Sequence, residues 1–398
     1  MSATPSDDNR PAAPPAGNHA SPDMPRATAD LPGCGGELVA RSCEEVLAKK
    51  PDGSGKYFWL RVAKDGLGTR QATAAVARAA GVAVELVSCA GNRDRNGRSV
   101  QWFSVLAESV DNPGALKRAG AHGKMAVQEI ATSGRAITAA EVPRLRWKLR
   151  LAGAARGGGY HKARAILDHL RRNGCPNYHA PGAATGEHPR WGRLIAEGKR
   201  LPRPVQARLA ASAITPGRLL GAFQDSLFNR YVGQRLADGL LATCLDGDVI
   251  QSRDGRIIAV TDIAAGQRRL DSWEAVQLGP CYGQGMSPVT GQALAREAAL
   301  LTAAGLGPKH LARLRGERRG IRFQPTGVIL DPTGDDLTLT CELPCDAHIA
   351  VLLDELVKPE LQSADEEAEA ASEEGDEPAD DAGASASEEI EGDDGEDA

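Results

Sequence analysis

The residues best suited to chemistry lie in a short loop, residues 90–102, which reads AGNRDRNGRSVQW. One carboxylate, Asp94, stands between Arg93 and Arg95. Guanidinium groups favour the charged form of a neighbouring acid and also bind phosphate oxygens. The pattern therefore predicts an ionised carboxylate that is presented to a polyanion. A solvated surface loop is the alternative, because charge runs of this kind are common on protein surfaces.

Two glycines shape this loop, and predicted strands precede it. Gly91 and Gly97 permit backbone conformations that other residues resist, so the chain can turn sharply and approach a ligand. Residues 84–87, VELV, predict a short strand before the loop. Residues 57–62, YFWLRV, begin with three aromatic residues and predict a buried strand. A strand, a turn that carries Lys64, a helix, a short strand and the Asp94 loop would form a mixed α/β unit.

Apolar periodicity predicts three helices. Thr69 is suited to cap the first helix and Gly81 to end it. A second helix is predicted over about residues 161–172, with Gly174 as its stop, and a third over about residues 219–236. The buried stripes are expected to be Ala72, Val76 and Ala79, then Ala163, Ile166, Leu167 and Leu170, then Leu220, Phe223, Leu227 and Tyr231.

The loop resembles the catalytic signature of the TruD family of tRNA pseudouridine synthases, A-G-L-K-D-R-x-A-x-T-x-Q-W. The matching residues are Ala90, Gly91, Asp94, Arg95, Gln101 and Trp102. The family's Leu, Lys, Ala and Thr are replaced by Asn92, Arg93, Gly97 and Ser99.

Further segments resemble the same family in the same order across about residues 55–357. They are residues 58–66 with Thr69, Pro176 to Tyr178, Arg190 to Gly192, Ser226 to Asn229, Asp246 to Val249, residues 279–297, Arg318 with Arg319, Leu343 with Pro344, and Leu353 to Leu356. Several weak matches in order are hard to produce by chance.

The resemblance implies more about the fold than periodicity does. Periodicity predicts only an α/β or α+β chain, whereas the family implies an α+β fold in which a mixed-sheet pseudouridine synthase catalytic domain carries an inserted α/β TRUD domain. The expected organisation is a disordered lead (1–33), the first part of the catalytic domain (34–199), the insertion (200–315), the last part of the catalytic domain (316–358) and a disordered acidic tail (359–398). RNA would lie in the cleft between the two domains.

The implied activity is isomerisation of a tRNA uridine, conventionally uridine 13, to pseudouridine. Asp94 is the expected essential acid, either as a nucleophile or as a base. The expected substrate-binding residues are Lys64, Arg93, Arg95, Gln101, Asn177 and His179.

Three of these binding roles have an alternative. Lys64 could orient the acid, touch phosphate or be solvated, and Gln101 could lie near the target nucleotide or hold the loop by backbone hydrogen bonds. Asn177 could bind the uracil edge or cap the preceding helix end. His179 stands where the family has a Phe that can stack on the extruded base.

The charge distribution favours a nucleic-acid partner. The 398-residue chain has a formal net charge of −6, with 47 basic and 53 acidic residues. From Pro359 onward it has 18 acidic residues and no Lys or Arg, which leaves 35 acidic residues before the tail and a basic excess of about 12. A basic excess in residues 1–358 is suited to binding phosphate groups, and tRNA is the expected partner.

Other features predict a cytoplasmic enzyme that needs no cofactor. The eight cysteines form no C-x-x-C pair or zinc-ligand spacing, so no metal and no disulfide framework are expected. The Pro- and Ala-rich lead has no apolar signal region, and no run approaches a membrane span. No obligatory protein partner is evident.

Three hypotheses follow. The first is a TruD-type pseudouridine synthase. The second is a catalytically degenerate TruD-like protein that binds structured RNA, motivated by Asn92, Arg93, Gly97 and His179. The third is an unrelated enzyme that acts on a small phosphorylated substrate, which lacks the support of a phosphate-binding Gly-Lys-Ser/Thr loop or a metal-ligand cluster.

Overall fold

An eight-stranded mixed sheet dominates the fold. The structure, a computed structural model, describes residues 24–93, 95, 97–120, 123–179, 187–211 and 214–358. The strands are β1 (Glu37–Val46), β2 (Tyr57–Asp65), β3 (Val87–Cys89), β4 (Arg98–Leu106), β5 (Met125–Ser133), β6 (Arg144–Ala152), β7 (Cys175–Pro176), β8 (Val249–Ser252), β9 (Ile257–Ala259), β10 (Ala275–Cys281), β11 (Glu317–Gly320), β12 (Arg322–Phe323), β13 (Thr326–Thr333) and β14 (Asp336–Pro344). The α-helices are α1 (Thr69–Ala80), α2 (Gly159–Asn173), α3 (His188–Ala196), α4 (Arg203–Ala210), α5 (Pro216–Ala237), α6 (Ile263–Asp271), α7 (Gly291–Ala303), α8 (Pro308–Leu311) and α9 (Ile349–Val357).

Both ends of the described chain contribute to the large sheet. Its order is β13-β14-β6-β1-β4-β2-β5, with β3 beside β4. Strands β1 and β4 are parallel, whereas β14 and β6 are antiparallel. The two antiparallel strands alternate between apolar and polar residues, and their buried residues lie opposite one another, as Leu149 does to Leu339 and Trp147 to Cys341. Alternation of this kind places one face of a sheet on the core.

Helices cover the sheet where the apolar stripes predict. Helix α1 packs with Leu60, Val62 and Phe103 in one core cluster, while α2 and α9 join the larger cluster. The three predicted helices are present. Helix α1 ends before Gly81 as expected, whereas α2 and α5 begin two and three residues earlier than predicted and end one residue later.

Two local predictions are wrong. Thr69 does not cap helix α1, since Gly68 occupies that position and Thr69 is the first helical residue. Residues 84–86 form a 3-10 turn, and the short strand begins only at Val87. The Thr69 side chain contacts Arg93 and Gln101 instead of capping the helix, and the 3-10 turn is closed by the local bond from the Leu86 N–H to the Ala83 carbonyl.

A smaller sheet and its helices form the other part of the fold. Strands β11-β10-β8-β9 pair in that order, and β7 pairs with β12. Arg235 on α5 is fully buried and pairs with Asp248 at 2.9 Å, which ties this helix to the turn before β8. Strand β11 belongs to this smaller sheet although it lies just beyond the predicted domain edge at 315. The edges at 200 and 315 stay predictions. Within the described ranges, no helix is both long enough and apolar enough to cross a membrane.

Candidate active site

The loop between β3 and β4 is held at several described positions. Asp94 itself, with Asn96, lies outside the described residues. Gly91 has φ 104° and Gly97 has φ 86°, which are backbone conformations that favour glycine. A Cβ atom on Gly97 would lie 2.8 Å from the carbonyl oxygen of Arg41, so the chain passes close to β1 at this point.

A hydrogen-bond network fixes the start of the loop. The Arg93 backbone N–H donates to Thr69 Oγ1 at 2.7 Å, and the Thr69 hydroxyl donates to Gln101 Oε1 at 3.0 Å. Gln101 Nε2 in turn donates to the Gly91 carbonyl at 2.8 Å. Gln101 is fully buried, so the structure places it in the role of holding the loop by backbone hydrogen bonds.

Arg93 is part of a buried ion pair. Its Nε lies 2.9 Å from Glu45 Oε1, and the side chains are 7% and 0% exposed. The other oxygen of Glu45 accepts from the Trp102 backbone N–H at 2.7 Å. Burial acts to lower the pKa of Arg93, but the charges of Glu45 and Cys345 and the hydrogen bonds to them together outweigh burial and raise that pKa. A buried carboxylate thus already binds the guanidinium of Arg93, and the predicted phosphate contact of this residue stays a prediction.

The turn after β2 lies against the same loop. Lys64 is 1% exposed, and its ammonium donates to the Leu67 carbonyl at 2.8 Å. Arg95 is exposed, and its Nε donates to the Gly66 carbonyl at 3.3 Å. Of the two arginines beside Asp94, only Arg95 presents its charge to solvent.

Asn177 and His179 form a second group, which follows β7. Asn177 is 2% exposed and donates to the Gly320 carbonyl and to Asp346 Oδ2, both at 3.0 Å. Its own oxygen accepts from Arg319 Nη2 at 3.0 Å. Both amide hydrogens of Asn177 are thus used within the protein, on partners outside the preceding helix. Its predicted contact with the uracil edge stays a prediction.

His179 lies against helix α5. Its Nδ1 is 3.2 Å from Asp225 Oδ1, and its ring meets Phe228 edge to face, with centroids 5.2 Å apart. Burial, with help from the positive charge of Arg319 and from His348, lowers the pKa of His179 to about 2. The imidazole is therefore neutral at physiological pH.

The turn after β14 joins the two groups. Cys345 Sγ lies 3.4 Å from Arg93 Nη2, and the next residue, Asp346, accepts from Asn177. The loop that carries Asp94 and the segment that carries His179 therefore share one neighbouring turn, which comes from the C-terminal part of the chain. The structure brings all the described predicted site residues to these two groups.

Comparisons with known proteins agree with this geometry. The family model described as tRNA pseudouridine synthase D (TruD) matches residues 23–181 and 218–356. A tRNA pseudouridine synthase D of Anaeromyxobacter dehalogenans is 34% identical over 350 residues, which are 85% of this chain and 98% of that protein. The corresponding protein of Thermus thermophilus is 29% identical over 84% of this chain and 92% of its own length.

The chain belongs to the TruD family of tRNA pseudouridine synthases.

A solved TruD structure supports the fold. The crystal structure of a protein assigned as TruD from Methanosarcina mazei superposes with a TM-score of 0.63, covering 84% of this chain and 96% of that one at 16% identity. The expected α+β fold class is confirmed by this match.

The TruD family model leaves residues 182–217 unmatched, and this segment includes the described helices α3 and α4. Helix α3 packs on α5 through Gly192, where an added Cβ would meet the Leu219 carbonyl at 1.9 Å. Arg208 lies over the Trp191 ring, 4.6 Å from its centroid. The described part of this unmatched segment is thus packed onto the helix that contacts His179.

Sequence reasoning missed several residues that build the site: Glu45, Asp225, Asn229 and Asp346. A partial signal exists for two of them. Glu45 shares the buried face of β1 with Cys43, so an acid stands at an apolar position. Asn229 is 5% exposed and follows the buried Phe228, so an amide stands within the apolar part of α5. Such polar residues at core positions indicate hydrogen-bond partners elsewhere.

Proposed function

We propose that this TruD-family enzyme converts uridine 13 of tRNA to pseudouridine, with Asp94 as the essential acid. The support is that Asp94 is the acid of the family signature and that the loop around it is anchored on both sides. Arg93 is held by Glu45 and Thr69, and Gly97 packs against the carbonyl of Arg41. Preorganised neighbours reduce the cost of placing a catalytic group.

The reaction has no net change of oxidation state and takes no group from a second substrate, so the proposed steps require no redox cofactor or co-substrate. The bond between the ribose C1′ and uracil N1 breaks, the detached uracil turns, and a new bond forms between C1′ and C5. The proton lost from C5 is balanced by the proton gained at N1. A carboxylate can add to carbon, leave again and exchange protons, so Asp94 can serve either as nucleophile or as base.

The uridine must leave the RNA stack to reach the carboxylate. Extrusion of a base costs a few kcal/mol, which contacts with the protein have to offset. Arg95 is the exposed cation beside Asp94, and we propose that its guanidinium binds a phosphate of the tRNA. We propose that the His179 ring stacks on the face of the extruded base, and that Lys64, Gln101 and Asn177 position the loops. We place the enzyme in the cytoplasm with its tRNA substrate.

Replacement of Asp94 tests this function. Asp94→Asn should lower single-turnover pseudouridine formation in unmodified tRNA by on the order of 10²–10⁴-fold or more, while tRNA affinity stays nearly constant, because the amide cannot act as nucleophile or base. The matched control is Asp65→Asn, an exposed carboxylate at the end of β2, which should behave as the wild type.

The second candidate function is RNA binding without isomerisation, which the replacement of the family's Phe by His179 favours. Site-resolved mapping of pseudouridine decides between the two. Conversion of uridine 13 by the wild type supports the enzyme. If the wild type binds tRNA but leaves every uridine unchanged, the RNA-binding protein is the correct assignment, and substantial turnover by Asp94→Asn would refute the role of Asp94.

A further inference from the structure

Two side chains of helix α5 contact His179 and hold it in place. Asp225 and Asn229 are four residues apart, so they lie one turn apart on the same helical face. Asn229 Oδ1 accepts from the His179 backbone N–H at 2.8 Å, and Asn229 Nδ2 donates to the His179 carbonyl at 3.2 Å. Asp225 Oδ1 lies 3.2 Å from the ring nitrogen Nδ1. The backbone and the ring are therefore held by separate groups.

The surroundings of the ring select one protonation state. Nε2 is buried and has no hydrogen-bond partner in the described part of the chain, so a proton there would be unsatisfied. Nδ1 faces a carboxylate, which accepts an N–H. Arg319 and His348 also face the ring and disfavour a positive charge on it. A neutral imidazole with its proton on Nδ1 places its N–H against Asp225, carries no positive charge, and leaves an acceptor rather than a donor unpaired at Nε2.

We propose that Asp225 is a positioning residue for His179, which fixes the orientation and the Nδ1–H tautomer of the ring that faces the extruded uridine. This inference rests on the proposed function, in which His179 contacts the base. A Phe at this position needs no partner, because its ring has no polar atom. An imidazole has two nitrogens, and burying an unpaired donor costs free energy. Asp225 is the group that allows His179 to occupy this position in a single orientation.

A double-mutant cycle tests the assignment. Asp225→Leu should lower kcat/KM for pseudouridine formation about tenfold, because a hydrogen bond to a charged group is lost. Asp225→Asn should stay within about threefold of the wild type, because its amide oxygen still accepts from Nδ1–H. In a His179→Phe background, Asp225→Leu should change kcat/KM less than about twofold, because no ring nitrogen remains to be held.

Two results would overturn the proposal. One is a loss from Asp225→Leu that is equally large in the His179→Phe background, which would mean that Asp225 acts through another group. The other is an Asp225→Asn variant as impaired as Asp225→Leu.

A spectroscopic measurement keeps the test decisive if Asp225→Leu does not fold. The ¹⁵N shifts of His-labelled wild-type protein report which ring nitrogen carries the proton, and the spectrum of His179→Phe identifies the signals of His179. Protonation at Nδ1 supports the proposal, and protonation at Nε2 overturns it. This measurement does not require turnover, so an inactive wild type would contradict the proposed function and leave the tautomer result valid.

Discussion

Two loops meet at the candidate site, and charge plays a different part in each. The loop after β3 is anchored by Arg93 and Glu45, which are almost fully buried and carry opposite charges. The segment after β7 is anchored by the amides of Asn177 and Asn229 and by a neutral imidazole. The first anchor depends on one strong pair, whereas the second spreads its contacts over several weaker bonds.

This contrast predicts how each loop responds to substitution. Removing one member of a buried ion pair leaves the other charge without compensation, which is among the most damaging single changes. Removing one of several hydrogen bonds costs less, even where the partner is charged, as Asp346 is for Asn177. The loop after β3 should therefore be the more sensitive of the two in global stability, and the segment after β7 should be the more sensitive to local orientation.

Arg93→Ala should produce the largest effect. The buried carboxylate of Glu45 would lose its counter-charge, which is expected to lower the free energy of unfolding by about 3–5 kcal/mol. Urea denaturation followed by circular dichroism measures this loss. The matched control is Arg95→Ala in the same loop, which should change stability by less than about 0.5 kcal/mol because Arg95 is exposed. Equal effects of the two substitutions would contradict the contrast between the anchors, and the double variant Arg93→Met with Glu45→Gln should recover part of the stability.

Thr69→Val should have an intermediate effect. The substitution leaves the Arg93 backbone N–H and the Gln101 oxygen without their shared partner, which should cost about 1–3 kcal/mol. Thr73→Val is the control, since the Thr73 hydroxyl donates to the Thr69 backbone carbonyl within the same helix and pairs with the Cys89 thiol, so its loss leaves the network through the Thr69 hydroxyl in place. A thermal melt that places both variants at the same midpoint would show that the Thr69 network does not stabilise the loop.

Sequence periodicity predicts the helices because burial leaves a local pattern. Ala72 and Val76 in α1, and Ile166 and Leu170 in α2, recur at helical spacing and are all fully buried. The family resemblance predicts the mixed sheet, in which strands from distant parts of the chain pair. Periodicity alone does not predict this pairing, because β6 and β14 are separated by almost 200 residues.

The partners within the site could not be predicted for the same reason. Arg93 looks like an exposed phosphate ligand in the sequence, but its partner, Glu45, lies 48 positions earlier. His179 and Asp225 are also brought together only by the packing of α5. Contacts of this kind leave no spacing rule in the chain, so residue types predict the chemistry of the site but not which groups are already paired.

The pH dependence of stability gives the smallest expected effect and probes the second anchor. Burial raises the pKa of Asp225 to about 6, while Arg319 lowers it and Glu317 raises it further. The folded protein thus binds this proton more tightly than the unfolded chain, whose carboxyl has the ordinary lower pKa. Stability from this group is therefore present at low pH and is lost as pH rises through about 6. Relative to Asp225→Asn, the wild type should lose about 1–2 kcal/mol between pH 4 and pH 7 and change little above that. Urea unfolding at a series of pH values measures the difference, and parallel curves for the two proteins would show that Asp225 titrates as an ordinary surface carboxyl.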